Sequence, residues 1–95
     1  MSSLNFTQKG VKYESEGFVL SQDSVVELVF DSVPDFTGVT IDFFISLSGD
    51  NWQCCYTYTL RNSEGNTFCK SIQGASEKAT YKIVCSVEPV TAIYE

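Results

Sequence analysis

The sequence has no histidine, and it sets only six basic residues against twelve acidic ones in its 95 positions. Without histidine there is no Ser-His-Asp or Cys-His catalysis. Most catalytic zinc sites lose a usual ligand, and no side chain titrates near neutrality at its ordinary pKa. An enzyme built from this chain would have to rely on paired carboxylates or an unassisted cysteine. Acidic residues such as Asp42 and Asp50 stand singly, at outward strand or turn positions. The cations Lys9, Lys12, Arg61, Lys70, Lys78 and Lys82 are scattered. A phosphate backbone needs them clustered, so no nucleic-acid partner is expected. No apolar run reaches the ~18–20 residues of a membrane helix, so no membrane partner is expected either. The opening "MSSLNFTQKG" lacks the basic start and apolar stretch of a signal peptide. That points to the cytoplasm, and it makes Asn5-Phe6-Thr7 a chance match to the glycosylation sequon. There is no glycine-rich phosphate loop, and no cofactor is expected.

What is present suits a globular fold. Apolar residues make up 43% and aromatic residues 14% of the chain, and the length fits one domain spanning 1–95. Alternation with a period of two dominates, the pattern of strands with one buried face. In "VTIDFFISLS", Val39, Ile41, Phe43, Ile45 and Leu47 point inward. In "NWQCCYTYTL", unbroken alternation sends Trp52, Cys54, Tyr56, Tyr58 and Leu60 inward, with Gln53 and Cys55 outside. "SVVELVF" puts Val26, Leu28 and Phe30 inward, and "ATYKIVCSV" puts Tyr81, Ile83, Cys85 and Val87 inward.

Turn-forming stretches separate these runs. "SGDN" (48–51) carries residues that tolerate positive φ. "NSEG" (62–65) suits a hairpin with Gly65 in the left-handed position, pairing Leu60 with Phe68 and Tyr56 with Ile72. "SVPDFTG" (32–38) is a longer connection, and "GASEK" (74–78) another loop with a hint of a helical turn. The strands expected are 4–9, 13–20, 24–30, 39–48, 52–60, 66–73 and 79–88, with a further short one possible at 91–95. About seven short antiparallel strands form an all-β sandwich.

The four cysteines do not have metal-ligand spacing. Cys54 and Cys55 are adjacent, whereas Cys69 and Cys85 are isolated. Paired knuckles such as C-x₂-C are absent. Strict alternation places Cys54 and Cys85 inward, and Cys55 and Cys69 outward. Three arrangements remain open: four free thiols, a Cys54–Cys85 bridge, or a Cys55–Cys69 bridge after a register slip. "SGDN" with Asp42 lacks the clustered carboxylates of a calcium loop, so no metal ligands are assigned.

With catalysis set aside, the outward positions carry the interest. Val25, Val29, Phe44, Cys55 and Val84 interrupt otherwise polar faces and are the candidate interface residues, with Tyr13 and Tyr94 near the ends. Clustered, they would exceed what a monomer exposes, and would imply a protein partner or self-assembly.

The order of features resembles immunoglobulin-like and fibronectin-type sandwiches of the kind found in bacteriophage virion proteins. An aliphatic strand leads through "SLSGDNW" into a Trp-bearing strand, and a late strand reads "YKIVCSV". Tyr81 lies four residues before Cys85 rather than two, and Cys54 follows Trp52, so the antibody cysteine pattern is not carried over. The resemblance implies an immunoglobulin-like architecture and a virion-associated role, as a capsid decoration or tail subunit made in the host cytoplasm. Two other functions fit the composition: a small acidic inhibitor of a basic site on a host protein, and a carbohydrate-binding or adhesion module.

Overall fold

A computed structural model describes residues 1–31, 38–60 and 65–95. The loops read above as "SVPDFTG" and "NSEG" lie outside these residues, apart from Gly38 and Gly65 at their ends. The described strands are β1 (Ser2–Ser3), β2 (Phe6–Lys9), β3 (Lys12–Ser15), β4 (Ser24–Val29), β5 (Val39–Ser46), β6 (Gln53–Leu60), β7 (Thr67–Ile72), β8 (Thr80–Cys85) and β9 (Thr91–Tyr94). They form two antiparallel sheets, a four-stranded one in the order β1-β9-β4-β7 and a five-stranded one in the order β2-β3-β8-β5-β6. No helix occurs among the described residues, "ASEK" included. The all-β, two-sheet architecture agrees with the alternation. Nine strands are described in place of the expected seven or so, because β1 forms ahead of the expected 4–9 strand and the C-terminal strand does form.

The core lies where the inward faces of the two sheets meet. Val26, Leu28 and Phe30 come from one sheet, and Val39, Ile41, Phe43, Ile83 and Cys85 from the other, all fully buried or nearly so. At roughly 1.5–3 kcal/mol per large apolar side chain, this layer is the main source of stability. Two expected core residues lie beyond the strand ends and are exposed instead. Leu47 enters the 47–51 turn after β5 stops at Ser46 and is 83% exposed, and Val87 follows the end of β8. The "SGDN" turn forms as read: Gly49 adopts φ +86°, Ser46 Oγ accepts from its amide, and Ser48 Oγ accepts from Asp50.

The expected β6–β7 hairpin does not form. β6 pairs with β5 and β7 pairs with β4, in different sheets. Cys69 therefore sits opposite Glu27, not Thr59. The pairings expected from that hairpin, Leu60 with Phe68 and Tyr56 with Ile72, are therefore not formed; instead Tyr58 and Phe68 meet edge to face at 5.3 Å across the sandwich. A loop ending in a left-handed glycine (Gly65, φ +75°) serves an arch between sheets as well as a hairpin.

β3 ends early for a local reason. Ser15 is buried, and its hydroxyl accepts from the Ile83 amide at 2.8 Å and donates to the Glu16 carbonyl at 2.9 Å. A side chain thus takes over where the β3–β8 ladder stops. The chain resumes contact at Phe18, which exchanges two backbone hydrogen bonds with Tyr81. Replacing Ser15 by Ala leaves the Ile83 amide buried without an acceptor. We expect a loss of about 1–3 kcal/mol in urea unfolding, against less than about 0.5 kcal/mol for Thr91→Ala on an exposed strand position.

Candidate functional site

One extra residue in β6 decides what its N-terminal half displays. Phe43 pairs with Tyr56, but the next residue, Phe44, pairs with Cys54, so the register shifts and Cys55 has no partner on β5. This is a β-bulge: two residues on one strand oppose one on the other. A single inserted residue reverses the face of everything before it. Tyr56, Tyr58 and Leu60 keep the inward face expected for them, and Leu60 is buried. Trp52 and Cys54, expected in the core, are turned to the outer face of the five-stranded sheet, and neither belongs to the core cluster.

On that face Trp52 and Phe44 each border Lys82. The Lys82 ammonium lies 4.5 Å from the Trp52 ring centre and 5.7 Å from that of Phe44. It also donates to Glu14 Oε1 on β3 at 2.9 Å. Val84 flanks Glu14 and Asp42 in register, and Asp42 accepts a hydrogen bond from Thr57 at 2.9 Å. The result is a half-buried aromatic and aliphatic patch around a neutralised cation. Alternation read Phe44 and Val84 correctly as outward, but it missed Trp52, whose outward turn needs the bulge.

The other candidate interface residues do not join this patch. Val25 and Val29 project from β4 to the outer face of the four-stranded sheet, on the opposite side of the molecule. Val25 there lines a shallow hollow of about 200 Å³ with Met1, Glu27, Cys69 and Ile93. Tyr94, expected near the surface, packs against the core, with its ring 4.9 Å from that of Phe18. Cys55 belongs to neither outer face. Its thiol donates to the Phe43 carbonyl at 3.4 Å and borders a cleft between the free edges of β6 and β7.

All four sulfurs are free thiols, with Cys54, Cys55 and Cys69 exposed and Cys85 buried. Partial burial, and secondarily the neighbouring Cys54, push the Cys55 pKa up. Burial chiefly, and then Asp42, push the Cys85 thiol from 9.0 to about 12. Neither is an activated nucleophile, which would need a depressed pKa. Among the described residues, no three Cys, Asp or Glu side chains gather in a way that could hold a metal ion. No family model, no curated protein and no solved structure matches this chain.

Two measurements check this placement. In a short maleimide pulse on the Cys54→Ser and Cys55→Ser variants, Cys54 should react faster than Cys55, Cys69 should react readily, and Cys85 only on unfolding. The second is a pH profile. The folded-state pKa of Cys85 is raised, so its contribution to stability is intact below about pH 9 and is lost as pH rises toward 12. Relative to Cys85→Val, the wild-type chain should lose roughly 2 kcal/mol between pH 8 and 10.5, at about 1.4 kcal/mol per unit. Parallel profiles would contradict the assignment.

Proposed function

We propose that the protein is a non-enzymatic structural or interaction module, a virion-associated subunit that works through protein–protein contacts. The observation carrying this reading is the patch of Trp52, Phe44 and Val84 around Lys82. The chain spends a β-bulge to bring its only tryptophan to an outer sheet face. Aromatic residues beside a charge-neutralised, half-buried cation are the composition of an interface centre rather than of a solvated sheet face.

The pairing pattern supports an immunoglobulin-related sandwich with exchanged ends. β4–β7, β8–β5 and β5–β6 correspond to the B–E, F–C and C–C′ pairings of that architecture. The place beside β8, held there by the last strand, is filled by β3 from the N-terminal end. The place beside β4, held there by the first strand, is filled by β9. The "SLSGDNW" and "YKIVCSV" stretches that resemble phage virion sandwiches lie on β5–β6 and β8, the strands that build this face. A carbohydrate-binding module is the second reading. The outward placement of half-buried Trp52 favours it over the inhibitor reading, but Lys82 already lies over the indole ring.

Sedimentation velocity across a concentration series tests the proposal. The wild-type chain should self-associate, and Phe44→Glu should weaken association roughly 30-fold or more, the loss of a hot-spot residue. Val25→Glu, on the opposite face, should leave association intact. Wild-type protein that stays monomeric at all concentrations, or equal effects from both variants, would argue against this face.

A further inference from the structure

The cleft between the free edges of β6 and β7 is separate from the outer face and has a different lining. Its volume is about 450 Å³, within the ~300–1,000 Å³ range of small-molecule sites. Buried Phe43 and Tyr81 line it together with Ile45, Tyr56, Ile72 and Ala75. Among the described residues no acidic side chain lines it, although the whole chain carries a net charge of −6.

The one charged group in this lining is Lys70, on β7. It occupies an inward-pointing register position, opposite Val26, yet is itself exposed, so its ammonium sits at the cleft mouth. It donates to the Tyr56 hydroxyl at 2.6 Å and lies 4.9 Å from the Tyr56 ring centre and 5.7 Å from that of Tyr58. These contacts hold the ammonium in place without neutralising it. Lys82 has Glu14, but Lys70 has no carboxylate partner among the described residues. An ammonium has three donors, so two remain for an anion.

We propose that this cleft binds a small amphiphilic carboxylate, with its alkyl chain among Ile45, Ile72 and Phe43 and its head group on Lys70. Charge complementarity selects the head group: among the described residues the wall offers a fixed cation, the Tyr56 hydroxyl beside it and no competing acid. The apolar depth selects the tail. Binding leaves the outer-face patch free, so this site and the protein interface operate independently.

The test uses the full chain and a series of hexanoate, octanoate and decanoate, below their micellar concentrations, followed by amide chemical-shift perturbation. Decanoate should perturb Ile45, Cys55, Ile72 and Ala75 and leave Phe44, Trp52 and Lys82 unchanged. Affinity should rise up to about fourfold per added methylene. Lys70→Gln, at an exposed position that should not disturb folding, should weaken decanoate binding roughly tenfold, and decylamine should bind much more weakly than decanoate. Decanoate should also slow alkylation of Cys55 but not of Cys54. The proposal is overturned by any of four results: no perturbation at millimolar decanoate, perturbations confined to the outer faces, equal binding of decanoate and decylamine, or an unchanged affinity in Lys70→Gln.

Discussion

The unpaired residue in β6, Cys55, sets the chemistry of both faces of that strand. On its C-terminal side Tyr56, Tyr58 and Leu60 look into the sandwich and close the core against Phe43 and Phe68. On its N-terminal side Trp52 and Cys54 look out. Lys82, on β8, then becomes the point on the outer face where Phe44 of β5, Glu14 of β3 and Trp52, just before β6, converge. Magnitudes separate what this arrangement does from what the core does. An exposed cation–π contact is worth about 0.5–1 kcal/mol and a partly exposed ion pair about 0–1 kcal/mol. Each buried apolar side chain contributes roughly 1.5–3 kcal/mol. The core therefore holds the fold, and the Lys82 cluster orders a surface.

Much of the fold was legible in the sequence, and where it was not, the reasons are local. The facing of β4, β5 and β8 followed from period-two alternation because each pairs on two sides, and such strands tolerate no slip of phase. β6 is an edge strand, paired on one side only, so an inserted residue disturbs one ladder instead of two. Its N-terminal half also gives no contrast: Trp52, Cys54 and Cys55 are all apolar, and alternation alone does not reveal a bulge. The β6–β7 connection is ambiguous in the sequence for a related reason. Apolar residues such as Leu60 and Tyr56 match Phe68 and Ile72 equally well as hydrogen-bonded neighbours or as residues on facing sheets, and a terminal left-handed glycine suits both.

The candidate interface residues show the same limit. Alternation within a strand tells whether Val25, Val29, Phe44 and Val84 face outward, and all four do. It does not say which sheet a strand joins, so residues from two opposite faces were read as one set. Cys55 was assigned outward by a parity that the bulge removes. The cleft was not legible at all, because it depends on β6 and β7 being edge strands of different sheets. Lys70 could have been noticed as a charge on an inward-facing parity, between Phe68 and Ile72. Such inward-pointing charges also guard a free strand edge against pairing with another chain.

The central claim is that the bulge turns Trp52 out of the core and onto Lys82, and the side-chain NMR of these two residues tests it most directly. The account predicts nuclear Overhauser contacts between the Trp52 indole and the Lys82 methylenes, with those methylenes shifted upfield by the ring current. Indole contacts to Leu28 or Ile83, with Lys82 at ordinary shifts, would contradict it.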